Sequence, residues 1–203
     1  MQTLVTICIG IVILLGAYFF WIRPWQLSWG ATKEEVELTL PGDDIVKKPN
    51  FISTRAIDIS VKPEKVWPWI VQIGCNRAGF YSYDWIDNAG KPSANQIIPD
   101  LQHIAVGDFI PMTPDNKNGL WIKEFKQHEY ILWWDQKGNA SWLWYFKPTG
   151  NTTRLFVRLR TKYDFSIPWV IYYLLYDFGD IVMMRKCILG IKQRAETKSL
   201  SSL

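Results

Sequence analysis

The sequence predicts an α+β domain, a curved antiparallel sheet packed around one long C-terminal helix, behind a single N-terminal transmembrane helix. Three observations lead there. Residues 4–22 form an uninterrupted apolar run, LVTICIGIVILLGAYFFWI. Between residues 106 and 161, five short stretches rich in β-branched and aromatic residues are separated only by turns, too close together for crossover helices. From Pro168 to Ala195, apolar residues recur at helical spacing.

The apolar run covers about 28 Å at roughly 1.5 Å per residue, the thickness of a bilayer's hydrocarbon core. It has no Lys or Arg before it and no small-x-small cleavage site after it, so it reads as a retained anchor rather than a signal peptide. Trp21, Arg23, Trp25 and Trp29 follow, residue types that favour a membrane interface. Arg23, Lys33, Lys47 and Lys48 lie on the C-terminal side only, which places the following domain in the cytoplasm of a single-pass membrane protein. Cys8 lies in the span, and the remaining Cys75 and Cys187 suit a compartment where disulfides are not used. The expected division is residues 1–25 anchor with its interfacial flank, 26–50 linker, 51–197 domain and 198–203 tail.

Gly30 to Asn50 is polar and turn-rich, with Pro41-Gly42-Asp43-Asp44 as punctuation. Phe51 to Val61 alternates apolar and polar residues and reads as a half-buried strand. Pro63 opens a short helix to Ile73 with Val66, Trp67, Ile70 and Val71 on one face, and residues 74–88 hold a helical turn. The remaining strands are expected at 106–112, 120–126, 130–134, 141–146 and 153–161. The last helix starts after Asp164 or Ser166 as N-cap. Its first section, Trp169 to Tyr176, is apolar all round but too short to span a bilayer, and reads as buried in preference to lying in the membrane interface; Asp177, Gly179 and Asp180 are the expected break near its start.

The net charge of +4 is spread along the chain, so no nucleic-acid partner is expected, and a mild attraction to an anionic leaflet is the most it implies. His103 and His128 each stand alone, and no metal site is expected. No phosphate loop, dinucleotide fingerprint or nucleophile elbow occurs, so no cofactor is expected either. The 12 Trp, 9 Tyr and 10 Phe instead suggest broad, rigid apolar walls.

Several strings carry a resemblance: TRAIDISVKPEKVWPWIVQIG from Thr54, RAGFYSYDW from Arg77, VGD from Val106, TRLFVRLR from Thr153 and MRKCILGIKQRAE from Met184. Together they resemble the START-like, or SRPBCC, helix-grip superfamily of polyketide cyclases, dehydrases and lipid-transport proteins, in a membrane-anchored branch without assigned activity. The resemblance spans residues 51–196. It implies a sheet and two short helices gripping the final helix around an elongated apolar cavity for a lipid or hydrophobic metabolite. Where that pattern leads one to expect an acidic residue just before Arg185-Lys186, this chain has Met184.

On that reading, Trp67, Phe80, Tyr81, Tyr83, Trp121, Trp133, Trp142, Trp144, Phe146, Met184 and Ile188 would line the cavity, Trp142, Trp144 and Phe146 on one strand face. A filled core with no cavity uses the same residue types. Tyr81, Tyr83, Asp84 and His103 are the candidate acid-base groups if the domain is a cyclase- or dehydratase-like enzyme on a hydrophobic carbonyl substrate. Asp84 is otherwise a brace for a short helix. Arg158 and Arg160 alternate with apolar residues and should face away from the gripped helix, towards solvent or lipid headgroups. The leading reading is a membrane-tethered domain that binds or transfers a hydrophobic small molecule or lipid; a membrane-associated interaction module is the other non-enzymatic one.

Overall fold

The computed structural model describes residues 2–163 and 170–200, and the side chains of all of these except 4, 8, 11, 170–176 and 198–200. Helix α1 (Gln2–Ala17) runs through a π-helical turn at Tyr18–Ile22 into α2 (Arg23–Leu27), with Pro24, which has no N–H to donate to the turn before it, just after the π-helical segment. Within this rod, Val5–Leu27 is long and apolar enough to cross a membrane, and its most apolar stretch is unburied among the described residues.

The sequence reads residues 26–50 as a linker, yet the segment is seated on the domain. It carries α3 (Lys33–Glu37), started by a capping box in which Thr32 and Glu35 satisfy each other's backbone N–H groups. Before α3, the Trp29 carbonyl accepts from the Ala56 N–H along the free edge of β1 (Phe51–Ile59), covering an edge that would otherwise be open. Gly30 makes the crossing possible: its φ is +75° and a Cβ there would meet the Ala56 carbonyl oxygen at 2.1 Å.

After β1 come α4 (Pro63–Val71), α5 (Asp84–Asp87) and the strands β2 (Phe109–Pro111), β3 (Gly119–Lys126), β4 (Tyr130–Trp134), β5 (Ala140–Thr149) and β6 (Thr152–Thr161), then α6 (Val170–Leu200). The six strands form one antiparallel sheet in the order β1-β6-β5-β4-β3-β2. Its inner face, α4 and α6 enclose a single core that includes Ile59, Ile70, Ile131, Phe146, Leu155, Ile188 and Ile191. The expected order of elements is the observed one.

Two local expectations change. The first expected strand of the meander shortens to β2 because Val106-Gly107-Asp108 turns instead: Gly107 has φ +94° and the Asp108 carboxylate accepts from the Ala105 N–H. In α6, Asp177, Gly179 and Asp180 make no break. Both carboxylates are engaged sideways, by Arg23 and Arg55, and so do not compete for the local backbone. The N-cap candidates Asp164 and Ser166 and the expected burial of Trp169 to Tyr176 lie outside the described residues and side chains.

Candidate functional site

The register of the sheet sorts its side chains cleanly. Trp133 on β4 is directly opposite Trp142 on β5, and Ile131 opposite Trp144, all on the inner face. The three indoles cluster, with ring centroids 5.2 Å apart for Trp133 and Trp142, 5.9 Å for Trp133 and Trp144, and 5.1 Å for Trp142 and Trp144. Trp133 and Trp144 are wholly buried and Trp142 nearly so. None of the three Nε1–H groups finds a hydrogen-bond partner among the described residues. A buried indole N–H ordinarily has an acceptor, and one left without it costs about 1–3 kcal/mol. The three lie side by side on the face that grips the helix.

Trp67 extends this wall, 5.6 Å from the Phe146 ring, and Phe80, Tyr81, Met184 and Ile188 are buried in the same core. Trp121 is separated from it. It pairs in register with Trp134, one residue out of step with Trp133, and so lies on the outer face, 4.8 Å from the Phe109 ring. Tyr83 is half-buried at the start of α5 and outside the core.

The acid-base candidates are engaged elsewhere. The Tyr81 hydroxyl donates to the Trp69 carbonyl and accepts from Gln72, and burial pushes its pKa up. Asp84 accepts from both the backbone N–H and the hydroxyl of Ser93, bracing the loop after α5. His103 is exposed. Gly190 of α6 lets the Tyr81 backbone approach closely, since a Cβ there would meet the Tyr81 carbonyl oxygen at 2.4 Å. The RAGFYSYDW string therefore serves, in the described structure, as a strap pressed on α6. Cys75 and Cys187 are both free thiols and both buried.

Beside the apolar wall stands a polar junction that sequence reasoning missed. Arg55, only 1% exposed, points inward from β1 and pairs with Asp180 of α6 at 2.6 Å. Its Nε donates to the Gln26 carbonyl. One turn before Asp180, the Asp177 carboxylate accepts from the Tyr18 hydroxyl at 2.7 Å and from Arg23 at 2.8 Å, while Gln26 donates to the Tyr18 hydroxyl and to the Asp177 carbonyl. The end of the apolar rod is thus bolted to the gripped helix and to β1. Burial drives the Asp180 carboxyl upward and the Arg55 guanidinium beside it pulls it back. The ion pair between sheet and final helix lies one turn before Met184, where the resemblance led one to look for an acidic residue. Its signal was present: alternation through Phe51, Ser53, Arg55, Ile57 and Ile59 puts Arg55 on the inward face, where a charge needs a partner.

The outer face has a different chemistry. Arg158, expected to be solvated, is buried. It donates to Thr54, to the Leu38, Glu35 and Val36 carbonyls and to Asp43. Arg154 reaches the Gly30 carbonyl and Glu35, and Arg160 reaches Asp43. These arginines face away from the gripped helix as the alternation predicts; what covers them is the segment before β1. Among the described residues, a cavity of about 230 Å³ lies beside Tyr81, Ser93 and Arg194, and one of about 700 Å³ between the segment around α3 and the outer face.

No family model matches the chain, and no curated protein does. Among solved structures it is similar to a conserved protein of unknown function from Enterococcus faecalis, at 10% identity and TM-score 0.43, over 77% of this chain and 88% of that one. A polyketide cyclase-like protein from Corynebacterium glutamicum is similar at 16% identity and TM-score 0.34, over 74% and 83% of the two chains. For an AHSA1-like protein from Aeromonas hydrophila the values are 12%, 0.36, 72% and 94%. Strand order, the short helices and the long α6 held against the sheet give this chain the α+β helix-grip architecture that the sequence predicts.

Proposed function

We propose that the domain binds a hydrophobic molecule bearing acceptor oxygens between the sheet and α6, against Trp133, Trp142 and Trp144, and exchanges it with the bilayer to which α1 tethers it. The observation that carries this reading is the set of three buried indole N–H groups without an acceptor among the described residues. Aromatic faces supply apolar contact and the three donors would take a carbonyl, ester or hydroxyl oxygen, so the ligand class is an oxygenated hydrophobe rather than a plain hydrocarbon. The apolar Val5–Leu27 rod supports the tether, and the distribution of Lys and Arg around it supports the cytoplasmic side. The polar junction supports it too, because it holds α6 beside the end of the rod instead of leaving the domain on a free leash.

The test is extraction of the full chain, purified in detergent, into organic solvent followed by mass spectrometry. An oxygenated hydrophobic molecule at near-stoichiometric yield is expected. Trp144→Phe keeps the aromatic face and deletes one donor, and it should lower occupancy about tenfold, the equivalent of one hydrogen bond of about 1.4 kcal/mol. A chain that releases nothing, and whose indole N–H resonances stay in place when membrane lipid extract is added, would end this reading.

A further inference from the structure

The larger cavity is a groove of about 700 Å³, within the roughly 300–1,000 Å³ range of small-molecule and lipid sites. Its floor is the outer face of β1 and β6, and its far wall is α3 with the chain that follows. Leu27, Ala31, Val36, Leu38 and Ile52 make it apolar. Three of these, Val36, Leu38 and Ile52, remain exposed, Ile52 by 40%, on a face otherwise closed by arginines and carboxylates. One end of the groove is formed by Pro24, Leu27 and Ser28, where the apolar rod finishes. On the membrane reading of that rod, the groove opens at the headgroup level of the leaflet.

The charges in its wall favour an anion. Lys33, Arg158 and Arg160 face only Glu37 and Asp43, three cations against two carboxylates. Arg158 is fully engaged by its five acceptors. Arg160 is not: it gives Nη1 to Asp43 at a long 3.3 Å, and its buried Nε has no partner among the described residues. A guanidinium with spare donors, at the side of an apolar trough that begins where the span ends, has the geometry for a phosphate that carries an acyl chain.

We infer that this outer groove is a second binding site, taking one acyl chain of an anionic phospholipid from the adjacent leaflet, with Arg160 receiving the phosphate. It rests on the membrane part of the proposed function and is independent of the interior site. Free phosphate shares the headgroup chemistry but leaves the apolar trough unused.

The full chain in detergent is offered phosphatidylglycerol, phosphatidylcholine or inorganic phosphate, and retained molecules are counted by native mass spectrometry. Phosphatidylglycerol should be retained over phosphatidylcholine. Arg160→Gln should reduce retention about tenfold, the loss of one charge-assisted contact. Ile52→Trp, which fills the trough from an exposed strand position, should abolish it, with Val36→Trp as a second plug and circular dichroism confirming that both fold. Equal retention by wild type and both plugged variants overturns the groove, as does displacement of the lipid by inorganic phosphate. If Trp144→Phe releases the phosphatidylglycerol and the plugs do not, the lipid sits in the interior: the groove falls and the interior reading stands.

Discussion

The two faces of the sheet use the same residue type to different ends. On the inner face a single arginine, Arg55, is sealed among apolar side chains and meets a carboxylate from α6. On the outer face Arg158 is as deeply buried, but four of its five acceptors belong to residues 35–43, a segment that lies over the sheet from outside. If the outer segment lifts, its carbonyls and the guanidinium all regain water. Arg55 has no such exit, since exposing it means parting strand from helix. An inner polar group is therefore bound to the global fold, and an outer one to a local lid.

The largest effect should come from splitting the inner pair. Arg55→Met leaves Asp180 buried without its cation and should cost about 3–5 kcal/mol. Asp180→Leu should cost a similar amount, and the double variant should recover most of it, because two apolar side chains replace two charges together. Chemical denaturation of the detergent-solubilised chain measures all three. If the single variants lose little, Arg55 reaches water and the distinction between the faces collapses. Arg158→Met should cost less, about 1–3 kcal/mol, and its signature is where the loss appears. Amide exchange should quicken across residues 33–46 while β5 and β6 keep their protection; loss of protection throughout would make the outer segment part of the core.

The antiparallel meander and the helix it grips were legible because the strands are short and rich in β-branched and aromatic residues, and the turns at 115–119, 137–139 and 149–151 carry Gly, Asn or Asp. The tryptophan wall was legible for the same reason, except for Trp121. A bulge in β3 near Ile122 and a register set by its neighbour decide which face each residue takes, and neither can be read from one strand alone. Residues 26–50 misled because a segment that lies on another surface is ordered by long-range partners. Its polar residues look like solvent-facing ones until Arg154 and Arg158, more than a hundred residues later, are seen to meet them. Asp177 and Asp180 looked like helix breakers because their partners, Arg23 and Arg55, stand equally far off in sequence.

A smaller effect sharpens the contrast from inside. Asp87 on α5 is also a sequestered carboxyl, but it has no Arg55: hydrogen bonding, chiefly from the Ser82 side chain, is what favours its charged form. Burial pushes its pKa from the usual 3.8 up to about 6, with the neighbouring Asp84 adding to the rise. The protonated form is thus the one the fold prefers. The sign follows: this group's contribution to stability is complete below about pH 3.8 and is lost as pH rises through about 6. At neutral pH the ionised carboxyl should cost about 1–2 kcal/mol after allowing for partial solvation. Asp87→Asn should therefore stabilise the protein at pH 7, change little near pH 4, and flatten this part of the profile between them, as followed by melting temperature. A destabilised variant at pH 7 would mean that Asp87 has found a cation, as Asp180 has, and that both inner carboxylates are paired.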